Sequence, residues 1–442
     1  MARRHVLIGG GPGAIAAAEA IRGVDDGAEV VLVGADPHGY YSRPGLAYYL
    51  TNEIPEERLF PFTPDDILSL GLTSITERAV GIDPAAHTVA LESGRQLAYD
   101  RLLIATGSRA IPARVPGADL DGVVTLDGMD DARDIVRRSR TAKAAVVVGG
   151  GITALEIVEG LRARRVHVHY FMRKDRYWGN VLSESESRIV QQRLLHEGVE
   201  IHTFTELARI LGKEGRVAAV ETGDGTRIPC DLVAIAVGVR PQIELAQRAG
   251  LECARGVLVD QYLRSSDPDI FAAGDVAEVA DPHTGHRVVE VLWSSALAKG
   301  RVAGLNMALE PTHVYEQGPP LNVTRLAGLY TTIIGTVGSG DDADLEGISR
   351  GDSQIWSELR GGASVEAQRG DAHIRLALGN DTIAGAVVMG DQSISFPLQE
   401  LVEGCVDVSG IVPALEASEA PIVEVINRVW GDWREGRAQA GT

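Results

Sequence analysis

At 442 residues the chain is too long for one hydrophobic core, so two or three domains are expected. It carries 61 acidic against 42 basic residues, a formal net charge of −19, which argues against nucleic acid or an anionic lipid surface as a partner. The three cysteines, Cys230, Cys253 and Cys405, form no CxxC pair, which argues against a disulfide framework and a local redox disulfide.

The opening "MARRHVLIGG" runs straight into a strand with no apolar signal region, and no run approaches the roughly 18 apolar residues of a membrane span. The expected compartment is the cytoplasm. The first elements read β-α-β: strand "HVLIG", a helix over 14–22, strand "EVVLVG". A loop rich in Tyr and Pro follows, "ADPHGYYSRPGLAYYL". Near residue 100, "YDRLLIATGSRAIPARVPG" is a strand running into a Pro/Gly turn, a place for the chain to change domain. A second β-α-β unit begins near Lys143, with strands "AAVVVG" and "VHVHYF" around a helix over 152–164. "DLVAIAVGVRP" and "IFAAGDVAEV" read as further apolar strands, and a helix is expected over 294–309. After "EQGPP" the pattern changes to short strands with turn signals: "YTTIIGTVG", "SQIWSELR", "HIRLALGN" and "TIAGAVVMGD". Residues 338–353 read as loop. The end, "PIVEVINRVWGDWREG", reads as a helix with Ile422, Val425, Ile426, Val429 and Trp433 on one side.

The two β-α-β units share one spacing, Gly-x-Gly-x-x-Ala, at Gly9, Gly11 and Ala14 and again at Gly149, Gly151 and Ala154. The first glycine permits the tight turn and the second lets the backbone approach a pyrophosphate. The small third residue lets helix pack on strand, and the helix N-terminus offers unpaired N–H groups to the phosphates. One such turn is often only packing. Two of them, each inside a β-α-β unit, point to two dinucleotides. The expected fold is therefore α/β, with two Rossmann-like dinucleotide-binding domains and a C-terminal α+β domain. The boundaries read as 1–112 with 243–316, then 113–242, then 317–442.

Each unit should end its second strand near a group that reads the adenosine ribose. In the first, "VVLVGADPH" offers Asp36, slightly later than usual. In the second, the corresponding residue is Met172, followed by Arg173, Lys174 and Arg176. No acid stands there to bond a 2′-hydroxyl, while Arg or Lys suits a 2′-phosphate, which favours NADPH over NADH. A solvated basic strand end is the plainer reading.

These residues, with "GGGPGA", "IATGS" (104–108), "VVVGGGITALE", "AVGVRP" (236–241) and "IFAAGDVAE" (270–278), resemble the pyridine nucleotide–disulfide oxidoreductase class. The branch most resembled is that of rubredoxin and ferredoxin reductases and the flavin domain of nitrite reductases. The resemblance covers nearly the whole chain. It implies FAD in the first cradle and NAD(P)H in the second, so that a hydride passes from one pocket to the flavin N5 of the other. By the same resemblance Gly9, Gly11, Pro12, Gly13 and Ala14 hold the FAD diphosphate and Asp36 its adenosine ribose. Thr106 and Gly107 meet FAD between the domains, and Asp275 after Gly274 bonds its ribityl or diphosphate portion. Trp293 falls at the flavin rim, where it meets flavin or only packs. Gly149, Gly151, Ile152, Thr153 and Ala154, with Met172, Arg173, Lys174 and Gly238, belong to NAD(P)H. Glu156 either positions the nicotinamide or is an acid favoured by the helix dipole.

The chain departs from the class in "YSRPGLAYYL" (41–50). Disulfide reductases carry a cysteine pair on the corresponding helix, and a branch acting on coenzyme A disulfides carries one Cys where this chain has Pro44. The ferredoxin-reductase branch places a Lys beside flavin N5. Here Arg43 and Pro44 match that branch, but the Lys position is Tyr48, which bonds near the flavin or fills the core. Without a thiol relay the flavin itself must deliver electrons outward. His167 and His169 suit a strand face as readily as a phosphate contact, and a metal at His283, His286 and Asp281 is disfavoured.

The leading expectation is an FAD-dependent NAD(P)H oxidoreductase passing electrons to a small carrier of rubredoxin or ferredoxin type. Two others stay open: an NAD(P)H oxidase or quinone reductase, and a flavin-bearing subunit of a larger redox complex. A homodimer formed through the third domain is also expected from the resemblance.

Overall fold

The computed structural model describes residues 2–62, 64–281, 285–338, 363–379, 381–415 and 421–440. The expected strand at 353–360, the loop beyond residue 338 and His283 lie outside these residues. The described chain falls into two compact units: one within Met1–Phe171 and Glu206–Gln317, the other within Met172–Thr205, Gly318–Leu345 and Gln354–Thr442.

The first unit holds β1 (Arg4–Ile8), α1 (Pro12–Val24), β2 (Glu29–Gly34), α2 (Leu46–Leu50), β3 (Leu72–Thr76) and β4 (Arg101–Ile104). They are followed by β5 (Ala144–Val148), α3 (Ile152–Ala163), β6 (His167–Phe171), β7 (Leu232–Ile235), β8 (Ile270–Ala272) and α4 (Trp293–Ala308). One all-parallel sheet has the order β8-β4-β1-β2-β3. The other runs β6-β5-β7 and then the short strand Val123–Val124, again parallel. β1, β4 and β8 are buried along almost their whole length, as expected of strands in a parallel sheet covered on both faces. Burying a side chain such as Ile15 or Ile21 of α1 contributes about 1.5–3 kcal/mol.

The loop expected over 35–50 contains a short helix, α2, which the Pro and Gly before it do not announce. Helix α4 lies backbone to backbone on α1. A Cβ at Gly300 would stand 2.2 Å from the Gly13 carbonyl oxygen, and one at Gly304 2.4 Å from that of Ala17. Glycine at these two positions is what lets the helices touch.

In the second unit an antiparallel sheet has the order 321–326, 329–335, 382–389, 372–379, 363–369. The helices Ser395–Glu403 and Ile422–Ala440 close its core, with Ile422, Val425 and Ile426 buried as the sequence pattern indicated. Trp430 joins that face, its Nε1 donating to Glu400 at 2.6 Å, and Trp433 lies against Gly404. A buried ion pair also sits here. Arg375 bonds both carboxylate oxygens of Glu186, at 3.0 and 3.1 Å, and the carbonyls of Val181 and Val337.

Candidate functional site

The two glycine turns are built alike. Gly9 has φ +125° and donates to the Val33 carbonyl at 2.8 Å; Gly149 has φ +150° and donates to that of Phe171 at 3.1 Å. Each therefore leaves its central strand in a conformation that favours glycine. A Cβ on Gly9 would sit 2.0 Å from the Ala105 carbonyl oxygen, and one on Gly149 2.2 Å from that of Ala236. Around Gly10, Gly11 and Gly150 there is nothing within 4 Å of an added Cβ. The turns thus press on the neighbouring strand on one side and face open space on the other.

Helices α1 and α3 begin straight after these turns, at Pro12 and Ile152. Neither has a side-chain cap or an acid in its first turn. Their leading N–H groups and positive dipole ends suit an anion. Ala14 and Ala154 are fully buried, as close helix–strand packing requires. Thr153 is half-buried and Ile152 buried on the first turn of α3. The residues present fit two dinucleotide diphosphates.

Two crossing segments join the halves of this unit. Strands 108–110 and 239–241 pair antiparallel, and Ile111 N–H donates to the Gly238 carbonyl at 3.0 Å. Thr106 Oγ1 donates to the Gln242 carbonyl at 2.9 Å, Gln242 Nε2 donates to that of Thr106 at 2.7 Å, and Gln242 N–H donates to that of Gly107. Thr106 and Gly107 therefore clasp the crossover. Asp275, half-buried after Gly274 (φ +78°), accepts from Ser108 Oγ at 2.6 Å. That bond fixes its carboxylate at the end of β8.

Asp36 orders its own loop. One carboxylate oxygen accepts from His38 N–H at 3.0 Å and the other from Tyr41 hydroxyl at 3.1 Å. The buried Tyr41 hydroxyl in turn accepts from Met129 N–H at 3.0 Å, and Arg43 Nη1 donates to the Asp127 carbonyl at 2.8 Å. This loop is thereby tied to the segment that leads into the second half. Pro44 is exposed and Tyr48 half-buried on α2. Helix α2 packs on α3, where a Cβ on Gly160 would meet Leu50 Cβ at 2.7 Å. The helices carrying Tyr48 and Glu156 are thus neighbours. Glu156 lies beyond the first turn of α3, so a first-turn interaction with the helix dipole does not account for it. Trp293, at the start of α4, stacks with Tyr40 at a centroid distance of 5.9 Å, and Tyr40 with Phe62 at 5.4 Å.

In the second unit Met172 is buried, and its N–H and C=O are bonded to His202 and Thr205. It cannot present a side chain to a ribose, whereas Arg173 and Lys174 are exposed. The His167 and His169 rings meet edge to face, 4.8 Å between centroids. The cysteines are free, and burial pushes the Cys230 thiol up to about 12, so it is no thiolate at neutral pH.

Sequence reasoning missed Tyr41, Ser108 and Gln242, which hold the cradle loops, and Lys299, fully buried on α4. Tyr41 stood in a loop already read as unusual. Lys299 gave no signal, because a lysine in a helix ordinarily reads as solvated.

Comparison with known proteins bears on this geometry. The pyridine nucleotide-disulphide oxidoreductase family matches residues 3–300. The ferredoxin–NAD(+) reductase component of the biphenyl dioxygenase system from Paraburkholderia xenovorans is 33% identical over 358 residues, 79% of this chain and 84% of that protein. The rubredoxin–NAD(+) reductase of Ectopseudomonas oleovorans is 30% identical, over 64% of this chain and 74% of its own. In fold, the chain is similar to a putidaredoxin reductase in covalent complex with putidaredoxin, with TM-score 0.83, 23% identity, 97% of this chain and 99% of that one covered. The chain belongs to the pyridine nucleotide-disulphide oxidoreductase family. It is an FAD-dependent NAD(P)H oxidoreductase of mixed α/β fold, and its relatives include ferredoxin and rubredoxin reductases. Among the described residues no helix is long and apolar enough to cross a membrane.

Proposed function

We propose that this chain draws a hydride from NAD(P)H and passes electrons to a small carrier protein of ferredoxin or rubredoxin type. The reading rests chiefly on one observation, that two diphosphate cradles occupy one compact unit; Pro44 also stands where a thiol relay would need a cysteine. FAD, when bound, supplies the conversion from a two-electron donor to single-electron delivery. The protein's part is to hold and orient. In this reading Gly9, Gly11 and the first turn of α1 take the FAD diphosphate, and Ser108 keeps Asp275 in place for its ribityl chain. Gly149, Gly151 and the first turn of α3 take that of the nicotinamide nucleotide. Tyr48 and Glu156, on adjoining helices, replace the Lys–carboxylate pair of the ferredoxin-reductase branch.

Domains of 1–112 with 243–316 and of 113–242 would divide the work between the two nucleotides. Residues 317–442 would then serve as a dimer face. Arg173 and Lys174 favour NADPH, although the similar reductases are named for NAD(+). The exposed pair follows a strand end that lacks the acid a 2′-hydroxyl would use.

A second reading, an oxidase, has support in the NADH oxidase of Methanocaldococcus jannaschii, 30% identical over 69% of this chain. Anaerobic electron transfer from NADPH to a ferredoxin and a rubredoxin, set against oxygen consumption in air, separates the two. Carrier reduction that outpaces oxygen use by more than tenfold supports the reductase. Rapid oxygen use with no carrier reduction refutes it.

A further inference from the structure

Lys299 is 0% exposed, and among the described residues its Nζ makes no hydrogen bond. The nearest carboxylate is Glu290, itself 2% exposed, with Oε2 3.8 Å away, too far for a hydrogen bond. That same oxygen accepts from Ser295 Oγ at 2.7 Å. An ammonium in the interior with all three donors idle is among the costlier arrangements a fold can carry. The helix does not need it, since an uncharged side chain at this position would spare the cost.

The helix that carries Lys299 lies against the first cradle. The next residue, Gly300, is pressed on the Gly13 carbonyl of the diphosphate turn. One turn earlier, the Ala296 carbonyl oxygen stands 3.3 Å from where a Gly13 Cβ would be. The acids whose fields act on Lys299 are Glu290 and Asp275. Asp275 is the cradle carboxylate held by Ser108. Two carboxylates thus act on a buried lysine whose helix lies against a turn suited to an anion. Burial lowers the lysine's proton affinity and both acids raise it. An anionic ligand would raise it further.

We propose that Lys299 is a positioning residue of the first dinucleotide site, a buried cation that offsets Glu290 and Asp275 so that the FAD diphosphate can bind beside them. The proposal rests on the assignment of the first cradle to FAD. Acting through the field of the wall, Lys299 offsets the charge of Asp275 beside the cofactor.

The test measures FAD binding to the deflavinated full chain by quenching of flavin fluorescence, with thermal melts as a control on folding. Lys299→Gln should weaken FAD at least tenfold, and Lys299→Arg, which keeps the charge, should stay within about threefold of the parent. The double variant Lys299→Gln, Glu290→Gln removes both members of the pair, which protects folding and leaves the net charge of the wall as in the parent, so it should bind FAD within about threefold of the parent. If the double variant is folded and stays as weak as Lys299→Gln, charge balance does not account for the effect and the proposal falls. It falls equally if Lys299→Arg is folded and as weak as Lys299→Gln. If the parent apoprotein itself binds no FAD, the cofactor assignment fails rather than the role of Lys299.

Discussion

Replacing Gly149 by alanine should uncouple the two cradles. The new Cβ would lie 2.2 Å from the Ala236 carbonyl oxygen and 3.0 Å from Ala154 Cβ, where ordinary contact begins near 3.4 Å. The turn must therefore move by about 1 Å away from β7, at an overpacking cost of about 1–3 kcal/mol. A φ of +150° adds about 1–2 kcal/mol for a residue with a Cβ. Binding restores the original turn only against this sum, about 2–5 kcal/mol, so NAD(P)H should bind between about thirtyfold and a few thousandfold more weakly. The first cradle, proposed above to hold FAD, is a separate turn built on β1 and β4, so flavin content should not change. Flavin absorbance of the purified variant reads the first quantity. The NADPH concentration that half-saturates anaerobic bleaching reads the second. Loss of flavin together with nicotinamide, or an unchanged half-saturation, would refute the reasoning.

Neutralising Arg173 and Lys174 to Gln should weaken NADPH by about a hundredfold or more and NADH by less than threefold, since each of the two lost charged hydrogen bonds is worth about 1.5–3 kcal/mol. Equal losses in the two half-saturation values would sink the 2′-phosphate argument. His5 is fully buried with both ring nitrogens unbonded, and burial lowers its pKa from 6.5 to about 4. The folded state resists protonation that the unfolded chain accepts, so its contribution is full above pH 6.5. It falls as pH drops through the window to about 4, by about 3 kcal/mol in all. His5→Leu should flatten the decline of melting temperature between those pH values, and an unchanged slope would contradict the burial account. Arg375→Met strands Glu186 in the interior of the second unit and should cost about 3–5 kcal/mol, with most of it recovered by adding Glu186→Gln. Urea unfolding of the parent and the two variants checks this.

Much of the fold could be read because it is local and periodic. The turns at Gly9 and Gly149 are each written in six residues, and the strands around them are buried along most of their length. The terminal helix showed its buried face in Ile422, Val425 and Ile426 by helical spacing alone. What stayed hidden depends on contacts far apart in sequence. Tyr41 anchors to Met129, and Ser108 reaches Asp275, 167 positions on. Neither bond leaves a pattern in its own neighbourhood. Met172 occupied the right place in the motif, but its position said nothing of its burial, which is set by bonds to His202 and Thr205. The short strand 363–369 passed unread because "ASVEAQR" is polar on alternate positions and apolar only at small or isolated residues. Lys299 opposes its own pattern, a charged residue on a buried helix face, and such conflicts tend to mark sites under functional constraint.

The central claim is that one cradle feeds the other. Its most direct test is an anaerobic titration of the purified flavoprotein with NADPH and, separately, NADH, following the flavin band near roughly 450 nm. The account predicts rapid and complete bleaching, with NADPH effective at the lower concentration. An FAD-loaded protein that neither nucleotide bleaches would contradict it, since the second cradle would then have no part in reducing the first.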